Sequence, residues 1–211
     1  TDFYTKYIRS AKNQVVVIIS DALRYEVGRT LFEKLQADEK CSATISVMQS
    51  VLPSYTRFGM GALLPHKTLE MSETGKILVD GKPCDDLKQR EAILQSYQPN
   101  SRCVQYDDIK SLGSMALREI FTGKDVVYVY HNQIDARGDK LNTENEVFLA
   151  CEEAVDEIHS LIMLLTKRAN KSSFIVTADH GFIYKRDKLT ESDKISGNAA
   201  AHALIGRRYA I

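Results

Sequence analysis

The chain opens its apolar pattern with Val15-Val16-Val17-Ile18-Ile19-Ser20, an unbroken run that ends on Asp21. Such a run, without polar alternation, is expected of a strand buried on both faces in a parallel sheet. Over residues 22–35 the apolar positions Leu23, Val27, Leu31 and Leu35 recur at helical spacing. Residues 43–48 predict a second short strand, and 56–64 a short helix ended by Pro65. The Asp80-Gly81 pair between two short apolar stretches predicts a hairpin over 76–83. Further on, the pattern predicts a helix at 86–97, a strand at 102–106, a helix at 111–121 and a strand at 125–131. A long amphipathic helix follows at 142–167, carrying Phe148, Ala150, Val155, Ile158, Leu161, Ile162 and Leu165, and then a strand at 173–178. This alternation predicts an α/β fold: a mostly parallel sheet with helices on both faces. The polar, turn-rich stretches 64–88 and 185–201 are expected to be insertions or loops, because core-like strands follow each. No repeat and no low-complexity stretch is present.

Composition permits this and adds boundaries. With 211 residues, 44% of them hydrophobic, the chain can bury one sizeable core, so a single domain over 1–211 is expected. Basic and acidic residues balance at 28 each, so no global charge footprint for nucleic acid arises. Cys41, Cys84, Cys103 and Cys151 form no C-x-x-C pair and read as reduced thiols of a cytoplasmic protein. No apolar run approaches the roughly 20 residues of a membrane span, and no signal peptide opens the chain. The chain starts on Thr1, and residues 207–211 read as the beginning of a strand, as expected of a domain cut from a longer protein.

Five segments carry the candidate chemistry. The first strand ends on Asp21. Leu52-Pro53-Ser54-Tyr55-Thr56-Arg57 is a turn with hydroxyls. Val126-Val127-Tyr128-Val129-Tyr130-His131 runs on into Asp135, and Phe174-Ile175-Val176-Thr177-Ala178 ends in Asp179-His180-Gly181. A late histidine, His202, is the fifth. Parallel strands deliver their C-terminal ends to one edge, where ligands bind. Acidic and imidazole groups gathered there call for a cation. Each residue also has a plainer role open to it. Asp21 could cap the following helix, and Ser54 or Thr56 could cap theirs. Asp135 could sit in a solvated loop, His180 on a surface turn, and His202 in the core or at the surface. Gly181 is expected to allow a tight bend after the Asp-His pair. His66 and His131 are weaker candidates, and His159, mid-helix, is expected to be structural. A hydroxyl at a helix start also stands where anions are favoured, and beside a metal it could ionise and attack phosphorus.

In order along the chain, strand-Asp, Pro53-Ser54-Tyr55-Thr56, strand-Asp and Thr177-Ala178-Asp179-His180-Gly181 resemble the alkaline phosphatase superfamily. Within it the chain resembles the PglZ domain of bacterial phage-defence systems, through Ile18-Ile19-Ser20-Asp21-Ala22-Leu23-Arg24-Tyr25-Glu26, Tyr130-His131-Asn132-Gln133-Ile134-Asp135, Gly181-Phe182 and Gly206-Arg207-Arg208-Tyr209. The resemblance implies one divalent metal on Asp21, Thr56, Asp179 and His180, and a second on Asp135 and His202. The superfamily's other ligand to the second metal, a histidine, is replaced here by Asp139, which shifts the preference from zinc towards manganese or magnesium. It further implies hydrolysis of a phosphomonoester or phosphodiester through a phospho-threonine on Thr56, with Arg57 or Arg24 neutralising the phosphoryl oxygens. Other proteins of the defence system are the implied partners, with nucleic acid a candidate substrate. The competing reading is a metal-binding, non-catalytic interaction module, which the Asp139 replacement favours. A sulfatase or phosphotransferase on the same scaffold is a third reading, and the unmodified Thr56 speaks against the sulfatase.

Overall fold

The computed structural model describes residues 2–11, 13–138 and 146–182. Asp139 and His202 lie outside these, as do 185–201 and 206–211. Within the described residues, a parallel sheet is built from β1 (Val15–Ser20), β5 (Ser101–Gln105), β6 (Val126–His131) and β7 (Phe174–Thr177), in the order β5-β6-β1-β7. The helices are α1 (Tyr25–Gln36), α2 (Thr56–Ala62), α3 (Leu87–Tyr97), α4 (Tyr106–Ile109), α5 (Ser114–Phe121), α6 (Gln133–Gly138) and α7 (Val147–Ala169). A single π-helical turn, Tyr4–Ile8, precedes β1.

The uninterrupted apolar runs of β1 and β6 serve two cores, one on each face. Val16, Ile18, Val127 and Val129 meet Leu31 of α1, Leu117 and Phe121 of α5, and Ile158, Leu161 and Leu165 of α7. Val15, Val17, Ile19, Tyr128 and Tyr130 meet Met60 of α2, Ile93 and Leu94 of α3, and Ile77 and Val79. Period-2 alternation of strand side chains thus splits one apolar run between two helix layers.

Most elements lie where the pattern puts them, with three differences. Residues 43–48 form no strand: the segment 41–51 is irregular, none of its residues is buried, and it pairs with no strand among the described residues. Alternating β-branched residues make a strand only where a partner edge takes their hydrogen bonds. The stretch 64–88 is not a plain loop. It folds into a small antiparallel sheet of β2 (Leu69–Met71), β3 (Ile77–Val79) and β4 (Lys82–Pro83). Its turn has Asp80 at φ 50° and Gly81 at φ 74°, the left-handed pair that an Asp-Gly hairpin needs. Asp135 lies in a helix, α6, and not in a loop. The long helix α7 stops at Asn170, which takes the left-handed conformation (φ 54°) that ends a helix cheaply. Asp86 caps α3, exchanging bonds with Gln89 as a capping box.

Candidate metal centre

Strand β1 lies between β6 and β7, so the C-terminal ends of these three strands converge on one crevice beside Asp21. Asp21, Asp179 and His180 are all buried there. Asp21 caps nothing. Helix α1 starts four residues later, with Arg24 at its cap position and no side-chain cap bond. Instead, Ala22 takes a left-handed φ of 62°, unusual for a residue with a side chain, and aims its N–H at Asp179 Oδ1 over 3.1 Å. The Asp21 N–H donates to the His131 carbonyl at 2.8 Å, extending the β1–β6 ladder by one residue.

Thr56 does not cap α2 with its hydroxyl. It is the first residue of that helix, and the preceding Tyr55 makes no side-chain cap bond. Its Oγ1 lies 3.0 Å from His180 Nε2. The other ring nitrogen, Nδ1, is 2.9 Å from the Gly181 carbonyl, which can only accept. The ring proton therefore belongs on Nδ1, and Nε2 offers a lone pair to the site. Around that lone pair stand Thr56 Oγ1, Asp179 Oδ2 at 3.3 Å and Asp21 Oδ1 at 3.5 Å. Both of these carboxylate oxygens are buried without a hydrogen-bond partner. Asp135, at the start of α6, brings a carboxylate oxygen to the same place: one ligand atom each from Asp21, Asp135 and His180 lie within 4.8 Å of one another.

Helix α2 reaches the crevice because it carries no side chain at Gly59. A Cβ there would stand 2.5 Å from the Asp179 carbonyl oxygen and 2.9 Å from Asp179 Cβ. Ser50, in the irregular segment before α2, donates its hydroxyl to that same carbonyl. Gly181 plays a smaller part than expected. It takes no left-handed φ, and a Cβ would make an ordinary 3.4 Å contact with Arg24 Cβ.

Burial dominates the electrostatics. It pushes the Asp21 carboxyl up to about 8, with the charges of Asp179 and Asp135 adding to the shift. Burial likewise pushes Asp179 up to about 6. Lone pairs on two carboxylates and an imidazole face one another in a dry site, so a proton or a cation must stand among them. Two oxygens, one nitrogen and a hydroxyl within reach form a donor set suited to zinc or manganese. These residues fit a divalent ion.

The structure thus brings Asp21, Thr56, Asp135, Asp179 and His180 together. Arg24 forks onto Glu26 at 2.7 and 2.8 Å and stacks on Phe182, and Arg57 pairs with Asp85 at 3.4 Å. His66 bonds the Leu64 carbonyl, and His159 lies 3.9 Å from Asp38, away from the crevice.

Comparison with known proteins identifies the family. The family described as "BREX system PglZ alkaline phosphatase-like domain" matches residues 3–211. The chain belongs to the PglZ family. The PglZ domain is 41% identical over 212 residues to "Alkaline phosphatase-like protein PglZ" of Bacillus cereus (strain H3081.97), covering 99% of this chain and 25% of the relative. It is 37% identical over 183 residues to "Alkaline phosphatase-like protein BrxZ" of Escherichia coli O9:H4 (strain HS), covering 86% of this chain and 21% of that relative. The chain therefore spans a quarter or less of the length of these curated relatives. No solved structure matches it. It is an alkaline phosphatase-like α/β domain of the BREX phage-defence systems. No helix among the described residues is long and apolar enough to cross a membrane.

Three contributors were not legible as site residues in the sequence. Gly59 left a trace, a glycine inside a short helical stretch, which signals close packing. Ala22 and Ser50 left none, because their roles depend on where Asp179 arrives from more than a hundred residues away.

Proposed function

We propose that this domain is a metal-dependent phosphoesterase that uses Thr56 as nucleophile. The observation that carries the reading is the Thr56 hydroxyl 3.0 Å from His180 Nε2, beside two buried carboxylate oxygens without partners. Asp21, Asp179 and His180 would hold a divalent ion with Thr56. Asp135, together with Asp139 and His202, would hold a second. Such an ion supplies Lewis acidity, lowering the pKa of a nearby hydroxyl and countering charge on a phosphoryl group.

The chain's own residues then act as follows. Thr56 loses its proton to solvent, and Oγ1 bonds to phosphorus in line with the ester oxygen. The phosphorus–oxygen ester bond breaks, and the departing alkoxide takes a proton from water. A phosphorylated Thr56 remains, which water hydrolyses to the free Thr56 hydroxyl and phosphate from a monoester, or a phosphomonoester from a diester. Arg57, adjacent to the nucleophile, and Arg24, three residues past Asp21, would exchange Asp85 and Glu26 for the phosphoryl oxygens. Phosphomonoesters and phosphodiesters, nucleic acid among the latter, carry the bond this chemistry breaks. Other proteins of the BREX system are the partners, and the four free thiols accord with a cytoplasmic setting.

The test is turnover of p-nitrophenyl phosphate and of its bis ester with manganese, zinc or magnesium. Thr56→Ala should lower kcat by about ten-thousandfold or more, as loss of a nucleophile does elsewhere. Thr56→Ser should keep part of the rate, and chelator should remove it. Metal binding without turnover of either ester would instead support the non-catalytic interaction module. Undiminished turnover by Thr56→Ala would move the nucleophile to water.

A further inference from the structure

Behind the metal centre lies a second polar chain that the proposed reaction does not use. His131, the last residue of β6, is buried in direct register with Ser20, the last residue of β1. Ser20 Oγ lies 2.9 Å from His131 Nδ1, and His131 Nε2 lies 2.9 Å from Glu157 Oε2 on α7. A carboxylate can only accept, so Nε2 carries the ring proton, and in the neutral ring Nδ1 accepts from the Ser20 hydroxyl. The direction of every bond follows: Ser20 to His131 to Glu157. The Tyr106 ring packs against the imidazole in a T-shaped pair, centroid to centroid 4.9 Å.

This chain is placed to hold two ligands at once. The His131 carbonyl receives the Asp21 N–H at 2.8 Å, and Asp135 lies four residues past His131, in the first turn of α6. Helix α7 makes a second tie one turn before Glu157. Glu153 accepts from Gln133 Nε2 at 2.7 Å and pairs with Arg137, so it grips α6 on both sides of Asp135. A single face of α7 thus anchors the end of β6 and the helix that follows. A buried polar chain of this kind costs stability unless fully bonded, and once bonded it fixes geometry more sharply than apolar packing does.

We propose that Glu157, acting through His131, is a positioning residue for the metal centre: it sets the spacing between the Asp21 and Asp135 carboxylates. The inference rests on the metal-centre reading above. Groups that orient metal ligands without touching the ion usually alter affinity by about tenfold to a hundredfold when removed.

The experiment compares wild type, Glu157→Ala, Glu157→Gln and Asp179→Asn in the intact protein. Manganese affinity is measured by titration calorimetry, coordination by the visible spectrum of the cobalt-loaded protein, and folding by thermal melting in chelator. Glu157 is the choice because its side chain is 29% exposed, so truncation opens no cavity in the core. Glu157→Ala should weaken manganese binding by about tenfold to a hundredfold and alter the cobalt spectrum. Glu157→Gln, whose amide oxygen still accepts from Nε2–H, should restore both. Unchanged affinity and spectrum in Glu157→Ala would overturn the proposal even if melting fell, because the role would then be structural only. A Gln variant as impaired as Ala would overturn it too. Wild type that binds no manganese, and is therefore indistinguishable from Asp179→Asn, would overturn the metal-centre reading and this inference together.

Discussion

Asp21 shows how burial writes a pH dependence into one residue. Its folded-state value of about 8 stands far above the ordinary 3.8, so the fold keeps a proton that the unfolded chain has already released. By linkage, the stability it contributes without metal is fully present below the unfolded value and is lost as pH rises towards about 8. Thermal melting in chelator should therefore show wild type losing stability across that interval, with a flatter profile for Asp21→Asn. A cation replaces the proton, so manganese affinity should rise with pH over the same interval, and calorimetry in two buffers of different ionisation heat should register proton release. A profile of the wild type as flat as that of Asp21→Asn would show that the carboxyl is already ionised in the metal-free fold. At this scale the sequence was informative. Five of its candidate residues meet in one crevice: Asp21, Thr56, Asp179 and His180 because each stands at the end or start of an element whose apolar pattern was clear, and Asp135 through α6, which the pattern did not show.

At the scale of elements, helix α2 matters as a seven-residue arm that must lie almost on the Asp179 backbone. Gly59→Ala inserts a methyl group 2.5 Å from a carbonyl oxygen, and backbone cannot swing aside as a side-chain tip can. The variant should lose about 1–3 kcal/mol of stability from overpacking. The shift should also lift Thr56 from His180, lowering both metal affinity and turnover. Gly28→Ala is a suitable control. It lies inside α1 with nothing within 4 Å of the added Cβ, and should be neutral or slightly stabilising. Equal melting temperatures for Gly59→Ala and wild type would mean that α2 has room to spare. Element boundaries were legible wherever the period was strong, as in β1, β6 and the C-terminal end of α7. The 76–83 hairpin was legible in its Asp-Gly turn, but the addition of β2 to it was not, and residues 43–48 carry a strand-like pattern yet pair with no strand among the described residues. Pairing beyond a tight turn is a property of neighbours in space, which local pattern does not encode.

At the scale of the whole molecule, the centre joins the ends of β1, β7, α2 and α6, elements far apart along the chain. A cation there should act as a clasp that the unfolded chain cannot use. Manganese at about a hundred times its dissociation constant should add about 2.7 kcal/mol to stability. Chelator should reverse the gain in wild type, while Asp179→Asn should melt at the same temperature with and without metal. Identical melting of wild type in both conditions would show that no ion is bound. The fold class followed from strand–helix alternation alone. The strand order did not, because the pattern along the chain shows that β1, β6 and β7 are buried but not that β1 lies between the other two.

The bond from the Ala22 N–H to the Asp179 carboxylate closes a loop of 157 residues. Everything the centre needs from its last strand is thus made long after its first. During synthesis, on the order of ten seconds separate the appearance of Asp21 from that of Asp179. In that interval β1 has β6 to pair with but not β7, and Asp21 and Asp135 lack the Asp179 and His180 side chains that complete the site. The complete set of ligands therefore cannot nucleate folding. That set assembles only after β7 has closed against β1, late on a pathway already slowed by such distant pairing.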